Sequence, residues 1–201
     1  MTGWETVISW FLVGGLGVFI PFLILALILI KKENLSINRQ NWTERLRFKK
    51  LNRTDWFWSI GGIIIIGMST QLIIMIIEIT LGKADMHPSF MAFEPLSYGR
   101  YWILAAWLPF WLFNIMGEEI LWRGVLLPRQ ELAFGKWTWI YHGIFWMVFH
   151  IAFGWQLLIS LLPILFLQSY IVQKRKNSWI GVIIHAGLNG PGFIAVAFGL
   201  V

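Results

Sequence analysis

The sequence predicts an all-α protein, a polytopic transmembrane bundle of about six helices of roughly 20 residues each. Two observations predict it. Of the 201 residues, 58% are hydrophobic and only 13% charged, with a mean hydropathy of +0.69, well outside soluble-domain usage. The apolar residues also fall into six long stretches, separated by short polar connections.

In chain order the spans are expected at residues 7–30, 56–82, 101–127, 138–153, 155–173 and 179–201. The fourth is short and carries His142 and His150. Tryptophans at 56, 58, 102, 137, 139, 155 and 179 sit near the proposed ends, where an amphipathic ring prefers the headgroup region. Before the first span the chain lacks the positive n-region and short apolar core of a secretory signal, so that span is expected to be retained. Spans of this number use most of the chain, which predicts one transmembrane domain over 1–201, with variable spans and a basic loop in 1–100 and a functional core in 101–201.

Between the first two spans lie eight Lys or Arg; Arg129 and Lys136 follow the third, and Lys174, Arg175 and Lys176 follow the fifth. All thirteen share one side if six spans alternate, whereas the other side holds Lys83 and Arg100. The positive-inside rule then makes these loops cytoplasmic and puts both termini outside, in a multi-pass protein of the cell membrane. The basic loop reads as topogenic, with contact to anionic lipid as the other possibility. The connection 83–100, with His87, Pro88 and Pro95, reads as an external loop. Although the net charge is +6, this distribution argues against nucleic acid as a partner and for the lipid bilayer. With no cysteine, there is no disulfide, thiolate ligand or cysteine nucleophile.

Chemistry is expected where ionisable groups occupy apolar helices, because a mid-span charge costs about 3 kcal/mol on insertion scales. The third span contains Glu118, Glu119 and Arg123. Glu119 and Arg123 are spaced i, i+4 with the acid first, the favourable order for an ion pair. Glu118 points about 100° away, with Asn114 one turn before it, and is the better candidate for chemistry. A purely structural ion pair would need only one acid. His150 lies one turn after Trp146 in the fourth span, and His185 and Asn189 share a face of the sixth. Alone, such a histidine reads as a packing residue, and His185 with Asn189 as an interhelical hydrogen bond. Counting about 1.5 Å per residue puts Glu118 roughly 14 Å, His150 roughly 18 Å and His185 roughly 9 Å from the cytoplasmic ends, one slab across three helices. Glu78, His142, Gln71, Gln156 and Gln168 fit interfacial or helix-packing roles and stay outside the candidate site.

The motifs GEEILWR (EExxxR), Trp146 to His150 (FxxxH with Trp for Phe) and HAGLN (HxxxN), in this order, resemble those of the CPBP family, the CAAX-processing and bacteriocin-processing (Abi) intramembrane proteases. The resemblance covers roughly residues 105–195, and the first two spans match no known pattern. It implies a helical bundle enclosing a cavity open to the cytoplasmic side, and cleavage of a peptide bond in a membrane-associated peptide or protein. By similarity, Glu118 with His150 would activate a water, His185 and Asn189 would stabilise the oxyanion, and Arg123 would hold Glu119. Trp146 departs from the family pattern, which bears on the shape of the substrate groove.

No cofactor is expected on this reading. Zinc held by Glu118, His150 and His185 is the competing mechanism, disfavoured by the lack of an HExxH pair and by Asn189, a poor zinc ligand. Two other functions compete: a non-proteolytic bacteriocin self-immunity or membrane scaffold role, and a proton-coupled transporter, which the absence of an inverted repeat disfavours. Substrate identity and oligomeric state are open at this level.

Overall fold

A computed structural model describes residues 6–34, 36, 38–83, 88, 91 and 94–200, and among these no residue is in a β-strand. His87 and the first five residues lie outside the described set. Ten α-helices follow one another: α1 (Thr6–Gly14), α2 (Ile20–Lys32), α3 (Arg39–Glu44), α4 (Arg53–Leu81), α5 (Trp102–Glu119), α6 (Leu127–Phe134), α7 (Thr138–Phe149), α8 (Trp155–Ser160), α9 (Ser169–Arg175) and α10 (Ser178–Ala197). Wider π-helical stretches over Gly15–Phe19, Ile120–Leu126 and Ile164–Gln168 join α1 to α2, α5 to α6, and lead into α9.

Four helical stretches are long and apolar enough to cross a membrane: Thr6–Lys32, Arg53–Leu81, Trp102–Phe149 and Ser178–Ala197. Nearly all of the expected third span and most of the fourth lie within Trp102–Phe149, which is too long for one crossing. It reverses at Gly135, whose φ of 54° favours a residue without Cβ. The reversal brings His142 Nδ1 within 2.6 Å of Gln130 Oε1, positions that a continuous helix would hold about 18 Å apart. The expected fifth span is interrupted at Leu161, leaving α8 and the π-α9 unit as shorter pieces.

Exposure is inverted relative to a soluble protein. Phe57, Met68 and Ile79 are 74%, 70% and 75% exposed, as residues facing acyl chains should be, whereas Glu119, Arg123 and His142 are fully buried. The protein is therefore a multi-pass membrane protein with a polar interior. Helix α10 packs between α4 and α5. Around it the buried apolar residues form three clusters: Val7, Phe11 and Ile103 with Ala197 at one end; Trp146, Leu165 and Ile184 in the middle; Ala26, Leu46, Phe48 and Val125 at the end bearing the basic loops.

Local signals start the helices at that basic end. Asn52 accepts from the amide of Asp55 at 2.9 Å and Asp55 accepts from that of Asn52 at 3.1 Å, a reciprocal cap for α4. Asn177 caps α10 through the amide of Trp179 and bonds Asp55 through its side-chain amide, so one residue fixes the entry of two helices. Five basic residues of the three connections are paired with acids. Arg45 and Arg129 share Glu33, Arg47 and Lys176 share Glu131, and Arg175 pairs with Asp55. These acids tie the loop to the second half of the chain.

Candidate active site

The helices deliver their polar side chains to one place because α5 and α7 run antiparallel and α10 lies against both the acids and Trp146. Glu118 and Glu119 occupy the last turn of α5, and Arg123 lies in the π-helical stretch that follows. Such stretches often accompany functional sites.

Glu118 is 2% exposed, and both of its oxygens accept hydrogen bonds. Asn114 Nδ2 donates to Oε1 at 2.9 Å, and the indole of Trp146 donates to Oε2 at 2.7 Å. Glu119 takes a separate set of partners. Its Oε1 accepts from Gln168 Nε2 at 2.8 Å and His185 Nδ1 at 2.9 Å, and lies 3.1 Å from Arg123 Nη1. The two adjacent acids thus diverge, as their angular separation on a helix requires.

Arg123 is held by charge and stacking. Its guanidinium carbon sits 3.5 Å over the Trp146 ring, and no guanidinium nitrogen has an aligned hydrogen-bond acceptor. The 3.1 Å contact with Glu119 is accordingly an ion pair without a directed hydrogen bond. Trp146 is central: its ring also meets His150 and His185 edge-on, with centroids 5.4 and 5.6 Å away.

His150 ends α7. Its Nδ1 donates to the Trp146 carbonyl at 2.8 Å, which requires the proton on Nδ1 and leaves Nε2 as the free ring nitrogen. No hydrogen bond joins His150 to Glu118; the Trp146 side chain touches both. His185 likewise spends Nδ1, on Glu119, and is 3% exposed. Asn189 differs from the rest. One turn beyond His185 on α10, it is exposed and makes no hydrogen bond with a described residue.

Two participants, Gln168 and Trp146, were named in the sequence but not placed among the candidate site residues. Gln168 holds Glu119 and the Gly181 carbonyl, partners on other helices that the sequence of its own span does not reveal. Trp146 supplies a donor that phenylalanine lacks; its position was readable, but its partner was not. Gly181 makes the arrangement possible, because a Cβ there would collide with Glu119 Oε2. His142, fully buried, bonds Gln130 outside this cluster.

Among the described residues, no group of three His, Asp or Glu side chains is arranged to hold a metal ion. What the site offers is a desolvated carboxylate with fixed donors, beside two imidazoles each with Nε2 unengaged. That combination suits proton transfer to and from a water molecule.

Residues 100–190, which contain all of these groups, match the family described as type II CAAX prenyl endopeptidase Rce1-like. No curated protein and no solved structure matches the chain. With the three motifs in order within it, the matched segment is similar to the CPBP family of CAAX-type intramembrane proteases.

Proposed function

We propose that the protein is an intramembrane endopeptidase that hydrolyses a peptide bond in a membrane-associated peptide or protein, using water activated by Glu118 and His150. The observation that carries this reading is the Glu118 carboxylate, buried yet gripped by two N–H donors, in one cluster with both histidines. Removed from water, a carboxylate held in place needs no reorganisation to accept a proton. His150, with its Nδ1 proton committed to a carbonyl, presents Nε2 as an acceptor for the same water. The proton would then pass to the leaving amine as the carbon–nitrogen bond breaks.

His185 would stabilise the oxyanion. Since Nδ1–H is engaged by Glu119, donation to the developing charge requires a second proton on Nε2, and the adjacent Glu119 carboxylate compensates the resulting imidazolium. Asn189, exposed on the same face, would add a neutral donor once substrate is present. Arg123 and Gln168 would keep Glu119 aimed at His185. Both Glu118 oxygens already serve as acceptors, which favours the metal-free mechanism over zinc ligation. The excess of Lys and Arg in three connections supports a cytoplasmic location for those loops, with residues 1–100 forming a scaffold for the catalytic core.

The decisive test replaces Glu118, His150 or His185 by Ala and profiles new peptide termini in membranes from cells carrying each variant. Each variant should insert normally and lose the cleavage products of the wild type. Intact cellular function in Glu118→Ala would overturn the protease reading and leave the non-proteolytic binding or immunity role. Strong chelator added to active, purified protein should leave cleavage unchanged; loss restored by zinc would assign Glu118, His150 and His185 as ligands.

A further inference from the structure

Between α2 and α3, on the side of the basic loops, lies a cavity of about 170 Å³. Leu23, Leu27 and Ile30 line it from one face of α2, at helical spacing, and Leu46 and Ile120 line it from within the bundle. Ile120 is the residue after Glu119, so the cavity reaches the helix that carries both acids. From α3 and the turn before it come Ser36, Asn38, Asn41 and Trp42. The polar atoms of the first three are largely spent on one another. Asn38 Nδ2 donates to Ser36 Oγ at 2.7 Å, Asn41 Nδ2 to the Ser36 carbonyl at 2.7 Å, and the Asn41 amide to Asn38 Oδ1 at 2.8 Å. Trp42 is stacked on Phe48, with ring centroids 4.6 Å apart. The surface facing the cavity is therefore almost wholly apolar.

The cavity meets the bilayer. Leu27, which lines it, is 45% exposed, and its neighbour Ile28 is 47% exposed, as on a lipid-facing helix. Its rim is cationic. Lys31 and Lys32 follow Ile30 at the end of α2, and Arg39 follows Asn38 at the start of α3. All three are exposed, and none forms an ion pair with a described residue. Arg45, which also lines the cavity, is already neutralised with Arg129 by Glu33, as Arg47 is by Glu131. Glu44, exposed and without an ion pair to a described residue, lies at the opposite end of α3 from Arg39. Three uncompensated cations thus border an apolar cavity where α2 leaves the membrane.

We propose that this cavity binds an anionic phospholipid of the leaflet on the basic-loop side, with part of one acyl chain between α2 and Trp42 and the phosphate on Lys31, Lys32 and Arg39. The volume decides the kind of occupant. At about 170 Å³ it is smaller than the roughly 300–1,000 Å³ pockets that enclose compact small molecules, so it takes a length of chain whose remainder lies outside. A zwitterionic lipid supplies the same chain, but only a headgroup with net negative charge matches three unpaired cations. The bound chain packs on Ile120, and Arg45 at the cavity's edge donates to the Gly124 carbonyl at 3.3 Å, so occupancy braces the turn holding Glu119 and Arg123. The site stands apart from the protease reading and does not depend on it.

Native mass spectrometry of the full-length protein, released from nanodiscs of equal phosphatidylglycerol and phosphatidylcholine, reads which lipid stays bound. Wild type should retain one phosphatidylglycerol several-fold over phosphatidylcholine. The triple variant Lys31→Gln, Lys32→Gln, Arg39→Gln should bring that ratio to about one, since each cation near an anionic surface is worth about fivefold. A second triple variant, Lys49→Gln, Lys50→Gln, Arg53→Gln, removes equal charge from exposed positions on the same side and should leave the ratio unchanged. Leu27→Trp, at a half-exposed lining residue, fills the cavity and should abolish the retained lipid while the protein still melts cooperatively. Equal retention of both lipids by wild type, equal loss in the two triple variants, or full retention by Leu27→Trp overturns the site.

Discussion

Trp146 donates its indole N–H to Glu118 at 2.7 Å while the Arg123 guanidinium stacks 3.5 Å over the same ring. One side chain therefore holds the candidate base by an edge and the buried cation by a face. Replacing it with Phe keeps the stacking surface and removes the donor. A hydrogen bond to a charged group contributes about 2 kcal/mol, so Trp146→Phe should lower thermal stability in detergent by that order and reduce turnover with it. Unchanged melting and turnover would mean the indole N–H does not hold Glu118.

Gly181 sets the distance between α10 and Glu119. A methyl group there meets the carboxylate oxygen itself, and Gln168 Nε2 lies 3.3 Å away. Gly181→Ala should destabilise by about 1–3 kcal/mol, the range for overpacking a dense interior. Gly61→Ala is the control, since a Cβ at Gly61 has nothing within 4 Å. Thermal unfolding of the two variants side by side checks this.

The Glu119 and Arg123 pair lies entirely out of solvent. Arg123→Met leaves Glu119 beside His185 without its permanent cation, and breaking one partner of a buried pair typically costs about 3–5 kcal/mol. The double variant Arg123→Met with Glu119→Leu should recover much of that loss and still be inactive. A double-mutant cycle on membrane accumulation and melting temperature measures the coupling; additive losses would show that the pair is not coupled.

Glu33 predicts a pH dependence. The hydrogen-bonded guanidinium of Arg45, joined by that of Arg129, holds its carboxyl below the ordinary 4.5 against the opposing effect of partial burial. A carboxyl whose folded value is depressed adds stability that is fully present above the unfolded value and is lost as pH falls through the folded one. Stability should therefore decline on acidification below about 4.5, where the unfolded carboxyl begins to take up its proton. Glu33→Gln should be less stable at neutral pH and show a shallower acid decline, measured by melting temperature across pH.

Much of this was legible before any coordinates. Hydropathy identified the solvent, and insertion cost singled out Glu118, Glu119, Arg123, His150, His185 and Asn189, because each is individually expensive in an apolar helix. The spacing of Glu119 and Arg123 on one helix face was enough to expect their ion pair, which is present at 3.1 Å. The three motifs were enough for the resemblance to the family that residues 100–190 match. Local periodicity carries such information, since it needs only the geometry of a single helix.

Contacts between helices depend on rotation, approach distance and chain reversal, which no single helix encodes. Only the tertiary structure assigned Trp146 to Glu118 and Gln168 with His185 to Glu119, through an approach that Gly181 permits. The turn at Gly135 folded one long apolar stretch back on itself, where hydropathy had drawn two spans. Tertiary structure also converted the basic loop from a marker of orientation into a packed layer, because Leu46 and Phe48 find a matching surface only once the Arg123 helix and α10 lie side by side. The amide of Asn189, alike in sequence to its buried neighbours, faces outward for the same reason.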